Sequence, residues 1–205
     1  VKLSPSHKRS LEMSTATYAA NVDQAGPYLA ARGIDRQTAA IHRLGFVADP
    51  LPGDEDYAGR LSIPYITPNG VVDLRFRAIG EQQPKYLGYP DRPTRLFNVQ
   101  ALLTTSNVVA VCEGEIDTIV MHSLVGIPAV GVPGAQHWKP HYRLLLEDFE
   151  HVVVMCDGDQ AGREFGRKVV SDLDNATAVH LPDGVDVNEA YLSHGTDWIK
   201  TKAGI

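Results

Sequence analysis

The sequence contains few cysteines and no long apolar run. Its 205 residues include two cysteines, Cys112 and Cys156, too few for a disulfide scaffold and without the spacing of a zinc ribbon. Both lie inside apolar runs, which favours buried free thiols in a reducing compartment. No segment approaches the roughly 18 apolar residues that a membrane span needs, and no signal peptide opens the chain. These absences predict a soluble, cytoplasmic protein.

An excess of positive charge is also missing. Nineteen Lys and Arg against 25 Asp and Glu give a net charge of −6, which excludes a wholly basic nucleic-acid coat but not a local basic patch. Six basic and three acidic residues lie between Arg60 and Arg95, whereas eight acidic and two basic residues lie between Glu113 and Asp159. This division suits a phosphate-binding segment followed by a metal-binding segment. An ordinary solvated sheet face remains the alternative for the basic segment.

The first half of the chain predicts a small α+β domain. Residues 1–15 carry Lys and Arg among serines without periodicity, which indicates a disordered arm. Residues 16–41 follow a helical spacing of apolar side chains. The alternating runs Leu61–Ile66 and Val71–Ile79 are joined by an Asn-Gly turn, which is a strong hairpin signal. We therefore expect a domain over residues 16–103.

After residue 103 the pattern changes to a doubly wound α/β domain over residues 104–205. Short β-branched apolar runs alternate with helical segments, as in parallel sheets that are buried on both faces. The predicted strands are 108–112, 127–132, 152–156 and 176–181. The predicted helices are 115–123, 139–147 and 161–173. The fold class is thus a Rossmann-like parallel sheet with helices on both faces, preceded by a smaller α+β subdomain.

Acidic residues follow three of these strands. Glu113 comes directly after one strand, and Asp157 and Asp159 follow another. Asp117 lies one helical turn after Glu113, and Asp186 follows the last strand. Ligands of parallel sheets bind at the carboxyl ends of the strands, and clustered carboxylates suit Mg²⁺ or Mn²⁺ rather than zinc. For any single acid, a solvated turn or a helix N-cap is the competing interpretation.

Three other kinds of site are excluded. The Asp-Gly-Asp at 157–159 could open a calcium loop, but Ala161 and Lys168 stand where that loop needs ligands. No GxxxxGK[ST] motif supports a P-loop ATPase, and no GxGxxG motif supports a dinucleotide-binding fold.

These residues resemble the Toprim signature, which DnaG-type primases share with topoisomerases, OLD nucleases and RecR-like proteins. Glu-Gly-Glu-Ile-Asp at 113–117 and Asp-Gly-Asp at 157–159 carry the resemblance, which covers roughly Val108 to His194. It implies that Glu113 is catalytic and that Glu113, Asp157 and Asp159 bind metal. Asp117 and Asp186 would complete the acidic cluster.

The front part is similar to the RNA-polymerase core of primases. The similar stretches are Tyr-Leu-Ala-Ala-Arg-Gly-Ile at 28–34, Phe-Arg-Ala-Ile-Gly at 76–80, Pro-Lys-Tyr-Leu at 84–87 and Thr-Arg-Leu-Phe-Asn at 94–98. In primases such stretches hold template and nucleotide phosphates. Arg77, Lys85 and Arg95 are the matching positions. One departure from the primase pattern is Asn188, which stands where a further acid is usual.

The resemblance implies a DNA primase core, a nucleotidyltransferase that makes short RNA primers in DNA replication. The implied cofactors are two Mg²⁺ or Mn²⁺ ions, with no zinc in this chain. The implied partners are single-stranded DNA, ribonucleoside triphosphates, and a replicative helicase or zinc-module protein. A Toprim primase reduced to this core resembles those of bacteriophages, and a phage-encoded protein would be expected in the host cytoplasm. A Toprim metal-dependent nuclease and a non-catalytic RecR-like DNA-binding scaffold remain the alternatives.

Overall fold

The chain divides into two compact units, one up to Pro93 and the other from Thr94 to Ile205. The structure is a computed structural model and describes residues 3–205. In the first unit the helices are α1 (Pro5–Ala19), α2 (Gly26–Ala30) and α3 (Arg36–Ile41). Its strands are β1 (Gly45–Phe46), β2 (Arg60–Thr67), β3 (Gly70–Ala78) and β4 (Tyr86–Gly88). Short 3₁₀ turns lie at Val22–Ala25 and Glu55–Tyr57.

The first unit is built around an antiparallel sheet in the order β1-β2-β3-β4. The predicted hairpin is confirmed: β2 and β3 pair through the turn at Gly70, whose φ of +98° favours glycine. An aromatic core lies against this sheet, with Tyr57 stacked on Phe76 at a ring-centroid distance of 3.9 Å. Tyr18 and Tyr89 meet Phe76 edge-on.

The prediction of a disordered arm is wrong for residues 5–15, which form most of α1. Ser4 caps this helix by accepting the His7 N–H, and Pro5 occupies its first turn. Leu11 is 3% exposed, so the helix is held by packing against the unit. The buried face of this helix is hard to recognise in the sequence, because half of its buried positions are the polar residues Ser14 and Thr15. Residues 1–2 of the predicted arm lie outside the described residues.

The second unit contains β5 (Val108–Cys112), α4 (Glu115–Ile119), β6 (Ala129–Gly131), β7 (His151–Cys156), α5 (Gln160–Asp172), β8 (Ala176–His180) and α6 (Val187–Ala203). A π-helical turn at Val120–Val125 continues α4, and 3₁₀ turns lie at Val99–Leu102, Ala135–His137 and Pro140–Leu145. The predicted helix over 139–147 is therefore wrong, since that segment forms a 3₁₀ turn. The helix α6 was not predicted.

All four strands of the second unit are parallel, in the order β6-β5-β7-β8. One face packs Val109 and Val154 against α5, through Phe165 and Val169. The other face buries an apolar set with the π turn and α6, namely Ala110, Cys112, Val153, Met155, Met121, Val187, Ala190 and Ile199. Helices thus cover both faces, which confirms the predicted α/β fold class. Among residues 3–205, no helix is both long and apolar enough to cross a membrane.

Candidate functional site

Glu113 follows β5 directly, so the strand delivers it to the carboxyl end of the parallel sheet. The loop after β6 fixes it, because the Gly134 N–H donates to the Glu113 carbonyl oxygen at 3.0 Å and the Ala135 N–H donates to its carboxylate. The Glu113 Oε2 is buried and has no hydrogen-bond partner within residues 3–205. A buried oxygen without a partner is costly, so this atom is suited to bind a proton or a cation.

Asp157 and Asp159 lie after β7, the strand beside β5. Asp157 is half-buried and Asp159 is exposed. The Asp159 Oδ1 accepts the Gly162 N–H at 2.7 Å and caps α5. A Cβ at Gly162 would lie 2.6 Å from the Asp157 nitrogen, so only glycine lets α5 begin this close to Asp157. The Asp-Gly-Asp loop thus shapes the start of a helix as well as presenting carboxylates.

Asp117 and Asp186 both contact the beginning of α6. The Asp117 Oδ1 accepts the Asn188 N–H at 3.1 Å, and Asn188 is itself buried. The Asp186 Oδ1 accepts the Glu189 N–H at 2.7 Å, and the Asp186 N–H donates to the Glu189 Oε2 at 3.3 Å. This reciprocal pair is a capping box. Both acids therefore stabilise a helix start near the sheet edge.

Across residues 3–205, no three His, Cys, Asp or Glu side chains form a group arranged to hold a metal ion. Like charges repel, and Asp117, Asp159 and Asp186 each direct one oxygen to a backbone N–H. The helix-cap interpretation is therefore correct for Asp159 and Asp186. Each of these two N-cap carboxylates has two oxygens, and the cap uses only one of them.

Asp157 nevertheless feels the negative charges of the other four acids. Burial, followed by the negative charges of Asp117, Glu113, Asp186 and Asp159, raises the pKa of Asp157 to about 8. Burial, followed by the charge of Asp159, raises the pKa of Glu113. The charges of the other four acids thus act on Asp157, and a nearby like charge disfavours ionisation. The sheet edge therefore gathers negative charge that a cation would neutralise.

The chemistry of these side chains fits a hard divalent cation. All five are carboxylates, which Mg²⁺ and Mn²⁺ prefer as ligands. The two nearby thiols do not compete, because burial raises the pKa of Cys112 well above its ordinary range and that of Cys156 to about 12, so both stay protonated. The orphaned Glu113 Oε2 is the atom that most directly needs such a partner.

The predicted basic residues of the first unit differ in exposure. Arg77 lies on β3, is 7% exposed, and packs its guanidinium over the rings of Tyr28 and Tyr86 while donating to the Tyr86 hydroxyl. Lys85 is exposed, on a loop anchored by the buried Arg60, whose Nη1 donates to the Pro84 carbonyl at 2.8 Å. Lys85 is thus the residue of this pair that solvent reaches.

Arg95 belongs to the second unit. It is half-buried, and its Nε has no hydrogen-bond partner in the described part of the chain. The Thr94 carbonyl before it accepts from the Lys139 ammonium at 3.0 Å and from the Tyr142 hydroxyl at 3.1 Å. These two bonds fix the backbone that carries Arg95.

Sequence reasoning missed the groups that support these residues. The Ala135 N–H that orients Glu113 is a backbone group and leaves no trace in residue type. The rings of Tyr28 and Tyr86 meet at Arg77 from distant parts of the sequence. Residues 77 and 86 are paired across β3 and β4. The contact between Arg77 and Tyr86 can therefore be inferred only once the register of these two strands is known.

Residues 110–191 match the Toprim-like family model Toprim_2. The gene 57 protein of Mycobacterium phage D29 is 42% identical over 146 residues, which cover 69% of this chain and 95% of that protein. The DNA primase of Pseudomonas putida is 29% identical over 142 residues, covering 62% of this chain but 22% of the primase. The chain therefore spans only about a quarter of the length of the curated primases that it matches.

Solved primase structures share the fold. The Aquifex aeolicus primase (zinc-binding and RNA polymerase domains) superposes with a TM-score of 0.81 at 23% identity, covering 99% of this chain and 62% of that one. The DnaG primase catalytic domain bound to ssDNA gives a TM-score of 0.77 at 20% identity, covering 98% and 80%. At these identities the likeness concerns the fold. Together with the sequence relatives, it confirms the Toprim resemblance: the chain belongs to the Toprim family of DnaG-type primases.

Proposed function

We propose that this chain is the catalytic core of a DNA primase, which makes short RNA primers on single-stranded DNA by divalent-metal-dependent nucleotidyl transfer. The DNA primase relatives support the reaction, and the phage D29 relative supports a role in phage DNA replication. The observation that carries the proposal is the buried Glu113 Oε2 at the carboxyl end of β5, together with Asp157 after β7, whose pKa is raised by burial and by the charges of the other four acids.

Glu113, Asp157 and Asp159 would hold the metal ions, with Asp117 and Asp186 completing the acidic cluster. A pair of Mg²⁺ or Mn²⁺ ions, when bound, would supply the positive charge that acidifies a primer 3′-hydroxyl and neutralises a triphosphate. Glu113 can also accept a proton, because its pKa is raised toward neutral pH from the ordinary value of a glutamate. The 3′-oxygen joins the α-phosphorus, and pyrophosphate leaves with the released bonding electrons.

The basic residues would bind the phosphates of template and nucleotide. Lys85 is exposed and can contact phosphate directly. Arg77 is enclosed by tyrosines, so it would contribute its positive charge from beneath the surface. Arg95 lies in the unit that carries the acids, and its Nε has no hydrogen-bond partner among residues 3–205. Binding of a phosphate backbone depends on positive charge and not on reading the base sequence. Three basic residues without a common sequence motif are consistent with this kind of binding.

Initiation would depend on a partner. The two cysteines are buried on the parallel sheet and cannot form a structural zinc site. We propose that a zinc-module protein or a replicative helicase supplies recognition of the start site. Single-stranded DNA and ribonucleoside triphosphates are the substrates in this proposal.

Incubation with labelled ribonucleotides on primed single-stranded DNA, and in parallel with end-labelled DNA, tests the function. A primase core lengthens the primer when Mn²⁺ or Mg²⁺ is present, and Glu113→Gln abolishes this. Shortening of the labelled DNA without synthesis would instead identify a Toprim nuclease. DNA binding without either reaction would identify a RecR-like scaffold.

A further inference from the structure

The loop that carries Asp157 and Asp159 touches the loop that leads to Asp186. The parallel pairing of β7 with β8 continues beyond the strands, where the Leu181 N–H donates to the Cys156 carbonyl at 3.1 Å. Two further backbone hydrogen bonds then join the loops: the Gly158 N–H donates to the Val185 carbonyl at 2.9 Å, and the Gly184 N–H donates to the Gly158 carbonyl at 2.8 Å. We call this reciprocal pair the glycine bridge.

Gly158 is required by space. An added Cβ would overlap the Pro182 carbonyl oxygen and lie 2.6 Å from the Pro182 carbonyl carbon and 2.9 Å from the Gly184 nitrogen. All three atoms belong to the backbone, so no side chain can rotate away to make room. Any larger residue at 158 must move the facing loop, and that loop ends at Asp186.

Gly184 is required by conformation. Its φ is +76°, in the left-handed region that residues with a Cβ other than asparagine and aspartate seldom adopt. Nothing lies within 4 Å of the position that its Cβ would occupy, so a side chain meets no steric obstacle there. The two glycines therefore secure the same bridge for different physical reasons.

We infer that Gly158 and Gly184 are positioning residues, which lock the Asp157–Asp159 loop to the loop before Asp186 and hold the acids of both loops ready for a divalent cation. Like-charged side chains on two loops repel, and without a tie they would drive the loops apart. The bridge uses backbone groups alone, so it opposes that repulsion without occupying any carboxylate oxygen. This inference rests on the proposed metal-dependent function.

The test is the affinity of the full chain for Mn²⁺ alone, titrated by electron paramagnetic resonance of the free ion, with the thermal midpoint measured in metal-free buffer. Groups that orient ligands typically contribute about 10- to 100-fold to metal affinity, so Gly158→Ala should weaken Mn²⁺ binding by at least about tenfold. Gly184→Ala should also weaken it, and Gly184→Asn should restore it, because asparagine tolerates the left-handed conformation.

Gly126→Ala is the matched control. Gly126 has a φ of +81° and nothing within 4 Å of its Cβ position, so alanine meets the same backbone strain there, but Gly126 follows the π turn and joins neither acidic loop. It should lower the thermal midpoint as Gly184→Ala does and leave Mn²⁺ affinity unchanged. If Gly158→Ala does not fold, the Gly184 pair decides the question.

The outcomes separate this inference from the proposed function. Wild-type affinity in both Gly158→Ala and Gly184→Ala, with binding lost in Asp157→Asn, would overturn the glycine bridge as a positioning device and leave the metal site intact. Absence of Mn²⁺ binding by the wild-type chain would overturn both. Equal weakening of Mn²⁺ binding in Gly184→Ala and Gly126→Ala would also overturn the glycine bridge as a positioning device. Backbone strain anywhere in the second unit would then be enough to weaken binding.

Discussion

Asp157 illustrates what it costs to gather negative charge at the end of a parallel sheet. Burial and four neighbouring carboxylates raise its pKa from an ordinary 3.8 to about 8. The folded chain therefore holds a proton there that the unfolded chain releases, between about pH 4 and pH 8. Stability contributed by this group is lost as pH rises through that window, since folding then opposes ionisation.

We expect Asp157→Asn to raise the thermal midpoint in metal-free buffer near pH 8, because the amide keeps the shape and removes the charge. The advantage over wild type should shrink as pH falls through this window and disappear below it, where the wild-type carboxyl is protonated in both states. Thermal denaturation of both proteins across this pH range measures the effect.

Asp183→Asn is the control for Asp157→Asn. Asp183 is exposed in the loop before Asp186, and it is not among the charges that raise the pKa of Asp157. Its substitution should leave the pH dependence of the midpoint unchanged. A constant gap between Asp157→Asn and wild type at all pH values would contradict the coupling of the carboxylates.

Lys85→Ala should weaken binding of single-stranded DNA and make it less dependent on salt. One lost phosphate contact lowers the slope of log affinity against log salt by about 0.7 for single strands. Arg36→Ala removes the same charge from an exposed position that is paired with Asp23, and should leave the slope unchanged. Fluorescence anisotropy at several salt concentrations compares the variants, and equal slopes for Lys85→Ala and wild type would assign Lys85 to an ordinary solvated face.

At the scale of elements, α1 contributes to the core of the first unit rather than forming a loose arm. Leu11 is 3% exposed, whereas Met13, two residues later on the same helix, is 58% exposed. Leu11→Ala should lower the free energy of unfolding by about 2–4 kcal/mol, the usual cost of a buried leucine. Met13→Ala should change it by less than about 0.5 kcal/mol. Chemical denaturation measures both, and equal small losses would contradict the packing of α1.

The strands could be predicted from the sequence more completely than the helices. β5 and β7 stand out because β-branched residues run without interruption where both sheet faces are buried. The helix α6 was missed although its capping box, Asp186 with Glu189, is visible in the sequence. The sequence assigns Asp186 to the acidic cluster with an N-cap as the competing interpretation, although a carboxylate has two oxygens and the two roles do not exclude each other.

The position of the acids at the sheet edge could be predicted, but their surroundings could not. Position after a strand identifies Glu113 and Asp157 because strand ends meet at one sheet edge. Whether a carboxylate caps a helix or stays unpaired depends on backbone N–H groups, which every residue except proline carries. The Ala135 N–H at Glu113 and the Gly162 N–H at Asp159 therefore required the structure.

At the scale of the whole molecule, charge opposes the approach of DNA. The net charge of −6 repels a polyanion, so binding must come from local positive charge and should be weak at physiological salt. We expect the 205-residue chain to start few primers alone and to extend an annealed primer well. A zinc-module protein added in trans should raise initiation much more than extension. Efficient, sequence-specific initiation by this chain alone would place template selection within its own two units.

The central claim is that this chain catalyses template-directed nucleotidyl transfer, with Glu113 and the other acids at the sheet edge holding the metal ions. The most direct measurement is the addition of a single labelled ribonucleotide to an RNA primer annealed to single-stranded DNA, in Mn²⁺. The wild-type chain should add the complementary ribonucleotide and release pyrophosphate, and chelation of the metal should stop the reaction. Folded Glu113→Gln should add none. Undiminished addition by Glu113→Gln, or no addition by the folded wild-type chain, would contradict the claim.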